Sequence, residues 1–169
     1  MKVYDKIFDL DFCDYLINRV KTQAQILPNK KIYNNKQSLD LDWDTWIIWD
    51  RKSTNSIFNK DTVGIIEDKL RPTFNVDSYE LVWGHITEYT QGKGLVRHID
   101  GEKNETLIII LSNEFTGGDT IIGSVKVELN KGDGVVFNGY NTYHEITKVV
   151  DGVRNALVLW YKPKIKGLV

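Results

Sequence analysis

A single cysteine, three prolines and three histidines in 169 residues are scarcities that each narrow what the chain can be. Cys13 has no partner for an internal disulfide. Among apolar neighbours it reads as a buried, reduced thiol of a cytoplasmic protein. Long apolar runs are missing. No stretch approaches the roughly 20 residues that cross a bilayer, and the opening MKVYDKIFDLDF holds no continuous apolar core of an export signal, so no membrane partner is expected. Charge of one sign is missing as well. The formal net charge is −1, with no long basic run, which removes the electrostatic footprint of a nucleic-acid binder. With 41% hydrophobic and 27% charged residues the composition is that of an ordinary soluble domain, and the length suits one core rather than two.

Apolar periodicity and glycine divide the chain near residue 80. Phe12, Leu16 and Val20 recur at helical spacing and predict a helix over 11–20, with Asp11 as its N-cap and Pro28 beyond its end. Val63, Ile66 and Leu70 predict a second over 61–70, stopped by Pro72. Between them residues 41–49 are aromatic and β-prone, and 51–60 read as a polar loop. From Tyr79 onward short β-prone runs predict strands near 79–89, 95–99, 105–112, 119–122, 125–129, 134–138, 142–148 and 153–162. Turns are expected at Gln91–Gly94, Phe115–Gly118, Asn130–Gly134 and Asp151–Gly152. The reading is one domain over 1–169, mainly β and of sandwich or barrel type. Residues 1–80 form a helical support and candidate substrate lid on one sheet's outer face, and 81–169 form the core.

His98 and Asp100 are alternate residues, so on an extended strand both side chains leave the same face. Joined by His144 from a strand distant in sequence, they would make the two-histidine, one-carboxylate arrangement that holds Fe(II) and leaves coordination positions open. A His-x-Asp pair alone is equally well explained by a hydrogen bond at a strand end, and a lone histidine is more often structural. Arg154 follows His144 by ten positions. If the two lie on neighbouring antiparallel strands, the guanidinium reaches beside the metal and can hold a carboxylate in two-pronged geometry. A surface ion pair with Asp151 competes with that reading. Against it, Arg154 lies in the run from Val153 through Ala156, Leu157, Val158 and Leu159, typical of a buried strand, where a guanidinium without an anion is costly.

The pieces EYTQGKGLVRHIDG (88–101), FTGGDTII (115–122), KGDGVVFNG (131–139) and HEITKVVDGVRNALVLWYKP (144–163) together resemble the catalytic domain of iron- and 2-oxoglutarate-dependent dioxygenases of the prolyl 4-hydroxylase type. The resemblance runs from Tyr89 to Tyr161, about half the chain. It implies a double-stranded β-helix, the jelly roll of cupin-like proteins, and an oxidoreductase with His98, Asp100 and His144 as iron ligands. It further implies 2-oxoglutarate on Arg154 and Tyr89, ascorbate as reductant, and a peptide or protein substrate hydroxylated on proline with release of succinate and CO₂. Two of the three histidines occupy the family's ligand positions. His85, between Gly84 and Ile86, matches none and reads as structural. Where many prolyl hydroxylases place a tyrosine for the co-substrate, this chain has Ile110, which donates no hydrogen bond.

Candidate substrate contacts are Trp160, Arg97 and Trp49. Trp160 alternates onto the face of Arg154, and Trp49 belongs with Trp43 and Trp46 to an aromatic cluster that serves equally well as core. Other functions remain open on sequence grounds. A free amino acid or other small molecule could replace the peptide. A nucleic-acid demethylase of the same superfamily is disfavoured by Trp160, where a second arginine would stand. A non-catalytic cupin-like metal module would have no use for Arg154, and a zinc hydrolase would need a general base that the chain does not offer.

Overall fold

A computed structural model describes residues 1–23, 27–28, 44–52, 56–102 and 104–165. Strand β1 (Lys2–Tyr4) precedes helix α1 (Leu10–Gln23), strands β2 (Leu27–Pro28) and β3 (Asp44–Asp50), and helix α2 (Lys60–Leu70). Ten strands follow: β4 (Tyr79–Tyr89), β5 (Leu95–His98), β6 (Glu105–Ile110), β7 (Phe115–Gly117), β8 (Thr120–Ile122), β9 (Val125–Val127), β10 (Gly134–Asn138), β11 (His144–Ile146), β12 (Val149–Gly152) and β13 (Arg154–Pro163). Among the described residues they form a main sheet in the order β1-β10-β6-β13-β4-β3-β2, a smaller sheet β5-β11-β8-β9, and a ribbon β12-β7. Every pairing is antiparallel.

The unbroken apolar run of β6 explains the layering. A strand buried on both faces loses the alternation of a half-exposed one. Leu107, Ile109 and Leu111 join the larger core, which takes Leu16 and Val20 from α1, Ile66 and Leu70 from α2, and Ile48, Leu157 and Leu159 from the sheet. Ile108 and Ile110 join a smaller core with Ile122, Val127, Phe137 and Ala156, between the two sheets. The helices thus cover the main sheet's outer face, as the sequence predicts, and the inner face is left to the pocket.

Several boundaries differ from the expectation. Helix α1 starts one residue early because Asp9, not Asp11, caps it: its carboxylate accepts from the Phe12 amide at 2.8 Å, and Asp11 lies inside the first turn. Residues 115–117 and 149–152, expected as turns or strand ends, pair as the β7–β12 ribbon, so glycine here marks tight pairing rather than reversal. The first 80 residues also contribute strands β1 and β3 to the main sheet, so the division near residue 80 does not separate two structural units. Trp43 lies outside the described residues.

Asn59 caps α2, its side-chain oxygen accepting from the Thr62 amide at 2.9 Å. Asn59→Ala should lower unfolding free energy by about 1 kcal/mol, and Asn59→Asp should retain most of it. Urea denaturation followed by far-UV circular dichroism measures both.

Candidate metal centre and co-substrate pocket

Strands β5 and β11 pair with His144 directly opposite His98, which brings two residues 46 positions apart into contact at 4.2 Å between ring centroids. Each Nδ1 lies against a backbone carbonyl, His98 against Val96 at 2.9 Å and His144 against Thr142 at 3.0 Å. A carbonyl only accepts, so each Nδ1 carries the proton and each Nε2 keeps its lone pair for a ligand. Asp100 Oδ1 lies 3.7 Å from His98 Nε2 and 3.5 Å from His144 Nε2, too far for good hydrogen bonds and right for three donors around one ion. The three donor atoms all lie within 4.8 Å of one another, and all three residues are buried. Two neutral imidazoles and a carboxylate suit a divalent transition metal, and iron fits this set.

The carboxylate is fixed from behind. Thr106 Oγ1 donates to Asp100 Oδ2 at 2.6 Å, and the Asp100 amide donates to the Gly139 carbonyl at 2.9 Å. A Cβ on Gly139 would sit 1.9 Å from Asp100 Oδ2, so glycine is required there by close approach alone. Burial raises the Asp100 pKa, but His144 and Thr106 outweigh it and hold the carboxyl below its usual range. Burial, assisted by His144, pulls the His98 pKa down and favours the neutral, ligating ring.

Arg154 opens β13 opposite Tyr89 of β4 and is 1% exposed. Its Nη2 donates to Thr120 Oγ1 at 3.0 Å, its Nε has no partner, and no carboxylate stands within ion-pair distance among the described residues. The nearest influential carboxylate, Asp119, is bonded to Lys126 at 3.0 Å. Burial pushes the Arg154 pKa down to about 10, with Tyr89 and Asp119 opposing, so the group stays charged at neutral pH. The Gly118 backbone, with φ +62, allows this: a Cβ there would press on Arg154 Cδ at 2.9 Å. The Tyr89 ring lies 5.7 Å from the guanidinium, and burial pushes its hydroxyl up to about 12, so it remains protonated.

One cavity joins both groups. His98, Asp100, His144, Tyr89, Arg154 and Trp160 all line it. Its water-accessible space is about 30 Å³, room for a water or two. Of the remaining sequence candidates, Arg97 lies outside this cavity: it is exposed, donating to the Gly123 carbonyl at 2.8 Å and covering the Tyr143 ring. Trp49 corrects the expectation, since it packs on the helix-side core and donates to the Leu81 carbonyl at 3.3 Å. A bulge between Ile47 and Trp49 turns it away from the inner face. Ile110 lies in the inter-sheet core, and Ile108 lines the cavity in its place. His85, read from sequence as structural, also lines the cavity, as do Thr87 and Thr106. Counting alternate positions back from Tyr89 along β4 would have found His85 and Thr87.

Residues 84–162 match the model of the 2OG-Fe(II) oxygenase superfamily. The catalytic segment belongs to that superfamily. No curated protein sequence is measurably similar to the chain, but solved structures are. An oxidoreductase of the 2OG-Fe(II) oxygenase family from Burkholderia pseudomallei superposes with a TM-score of 0.73 at 16% identity, over 94% of this chain and 82% of its own. The viral collagen prolyl hydroxylase of Paramecium Bursaria Chlorella virus-1, in its 2OG complex, gives 0.68 at 18% identity over 97% and 96%. A prolyl hydroxylase from Trichoplax adhaerens, in complex with a hypoxia inducible factor oxygen degradation domain peptide fragment, gives 0.67 at 15% identity over 96% and 83%. At these identities the likeness is one of fold, the double-stranded β-helix. This oxygenase is a dioxygenase whose cofactor is Fe(II) and whose co-substrate is 2-oxoglutarate.

The orientation of the Asp100 carboxylate depends on Thr106. Thr106→Val removes the hydroxyl and should weaken divalent-metal binding roughly 10–100-fold, the usual cost of losing a ligand's orienting partner. Thr106→Ser should stay near the unaltered protein. Anaerobic titration with Fe(II), or with Co(II) as a spectroscopic stand-in, reads the difference.

Proposed function

We propose that His98, Asp100 and His144 hold one Fe(II), that Arg154 with Thr120 holds the distal carboxylate of 2-oxoglutarate, and that the substrate is a peptidyl proline. The observation that carries this reading is the buried guanidinium. Arg154 keeps its charge without a carboxylate partner among the described residues, in the same cavity as the three metal donors. A dicarboxylate supplies the missing anion and a keto acid supplies the chelate. Tyr89 adds a hydroxyl donor to the same end, in compensation for Ile110.

With 2-oxoglutarate, the iron supplies the oxidation, in which O₂ is consumed, succinate and CO₂ are released and one oxygen atom enters a C–H bond. The chain's own work is placement and exclusion of water. The backbone carbonyls of Val96 and Thr142 fix the imidazole tautomers, Thr106 holds the carboxylate, and Phe137 packs edge-on against the His144 ring at 4.8 Å. The proline assignment is supported by fold neighbours that are prolyl hydroxylases, one with a peptide bound, and by Trp160 on the cavity wall. Ascorbate is the reductant that would keep the iron ferrous. Residues 1–80 serve as support for a catalytic core over 81–169 within one domain. The buried Cys13 thiol, its pKa pushed up to about 11 by burial, fits a cytoplasmic setting. No helix among the described residues is long and apolar enough to cross a membrane.

Arg154→Ala leaves the ligand's carboxylate desolvated and unpaired, at a cost on the order of 3–5 kcal/mol, or roughly two to three orders of magnitude in 2-oxoglutarate affinity. Iron affinity should change little. Arg154→Lys should recover part, and Tyr89→Phe should lose only about 0.5–1.5 kcal/mol. Calorimetric titration of the iron-loaded protein under anaerobic conditions gives these values, with pyruvate as the control that lacks a distal carboxylate. If unaltered protein and Arg154→Ala discriminate equally between the two keto acids, Arg154 is not the anchor.

A panel of proline-containing peptides should raise succinate release and gain one oxygen on proline, seen by mass spectrometry. Oxygen found only on lysine or on a free amino acid would move the substrate class and keep the dioxygenase.

A further inference from the structure

The inner face of the main sheet carries a second group of buried polar atoms without partners, far from Arg154. Asn104 is 2% exposed, and neither its Nδ2 nor its Oδ1 has a hydrogen-bond partner among the described residues. It stands one residue before β6 and continues the alternation of Thr106 and Ile108, which both line the metal cavity. Across the sheet Thr106 pairs with Trp160, whose Nε1 is likewise buried and unpartnered among the described residues. Trp160 is six residues from Arg154 on β13, roughly 20 Å along a strand, well beyond the span of a five-carbon diacid held at Arg154. This end of the inner face is therefore not co-substrate space.

A buried amide left without partners costs the folded chain more than an apolar side chain of the same size. Its chemical complement is a peptide main chain. A primary amide offers an acceptor and donors side by side, and the N–H and C=O of one extended residue point the same way to meet them. Asn104 and Trp160 are diagonal neighbours across an antiparallel pair, roughly 7–8 Å apart. Same-facing residues of an extended peptide repeat at roughly 7 Å. The rim offers no free charge to an ammonium or carboxylate, since Glu102, two residues before Asn104, binds Lys162 at 2.6 Å. The approach is open: Gly101 is exposed, and nothing lies within 4 Å of where its Cβ would stand. Thr106, which bonds the Asp100 carboxylate at 2.6 Å, is two residues along, so a chain held here runs past the metal donors.

We infer that Asn104 is a specificity-determining residue that grips the substrate's main chain. Its Oδ1 accepts from the N–H, and its Nδ2 donates to the C=O, of one residue flanking the target proline. Trp160 Nε1 donates to the carbonyl two residues along. The site thereby selects a peptide over a free amino acid. The inference rests on the peptidyl-proline reading above and gives Asn104 no part in holding metal or 2-oxoglutarate.

The test uses the whole chain, iron-loaded, and whichever proline peptide of the panel it hydroxylates best. Asn104→Leu removes the amide and keeps the size. It should raise the peptide KM roughly tenfold, the effect of losing about one net hydrogen bond, with the 2-oxoglutarate KM unmoved. In the ligand-free protein the same change should raise the melting temperature by roughly 2–4 °C, because an unpartnered buried amide is gone. Asn104→Ala, also apolar, replaces it in the KM comparison if Asn104→Leu fails to fold. A purely structural asparagine predicts a lower melting temperature with both KM values rising together, and that result overturns the inference. Peptides in which single backbone N–H groups near the proline are replaced by ester oxygen locate the contact. One ester should bind the unaltered protein several-fold more weakly than its parent amide, and the Asn104 variant should take the two equally. If no ester weakens binding to the unaltered protein, or if both proteins lose equally, the main-chain grip is wrong. If the unaltered protein hydroxylates a free amino acid but no peptide, the peptidyl-proline reading fails and takes this inference with it.

Discussion

A guanidinium taken out of water costs several kcal/mol unless charge and hydrogen bonds are returned to it, and Arg154 is buried on the inner face of a strand with neighbours on both sides. Thr120 returns one hydrogen bond and the Tyr89 ring a weak electrostatic contact. Neither returns a negative charge. The fold spends several features on making room for this group. Gly118 adopts a backbone that other residues resist and clears the Arg154 stem. The β7–β12 ribbon closes over that corner, and Thr120 begins the strand that carries Ile122 opposite His144. The same short β-hairpin region therefore serves the cationic end of the pocket and the metal donors.

The division of labour between the two faces of the main sheet follows. The inner face carries His85, Thr87, Tyr89, Thr106 and Arg154, a set that contributes poorly to a hydrophobic core. The outer face, covered by α1 and α2, gathers the large apolar side chains, and most of the burial that stabilises the sheet lies there. An apolar substitution on the outer face should thus alter stability without reaching the pocket, because alternate positions on β6 and β13 point to opposite layers.

How much of this was legible in the sequence depends on the range of the interaction. Local rules carried far: period-3.6 spacing located α1 and α2, period-2 spacing put Arg154 and Trp160 on one face, and the unmatched apolar run of β6 matched a strand buried twice. Register was not legible. Nothing in residues 115–118 or 149–152 announces that they pair, because a glycine at positive φ serves a turn and a bulged ribbon alike. Nor was the cap of α1, where Asp9 and Asp11 are both acceptable and the entry angle of the chain decides. Trp49 was misplaced because aromatic clustering does not say which face a side chain takes, and nothing in the sequence marks the bulge between Ile47 and Trp49.

His85 is fully buried, as its structural reading implies, and it also lines the cavity. Its sequence neighbours Gly84 and Ile86 belong to the opposite face. The neighbours that matter in a strand are at i±2 and across the sheet, here Trp83, Thr87 and Val158. Seen that way, a histidine two positions from one tryptophan and diagonal to another, on the face that ends in Tyr89, is not an isolated core residue. It is one end of a row whose other end holds a charge. Strand pairing sets the distance between those ends, so a shift of one residue between β4 and β13 would turn both away from the pocket together.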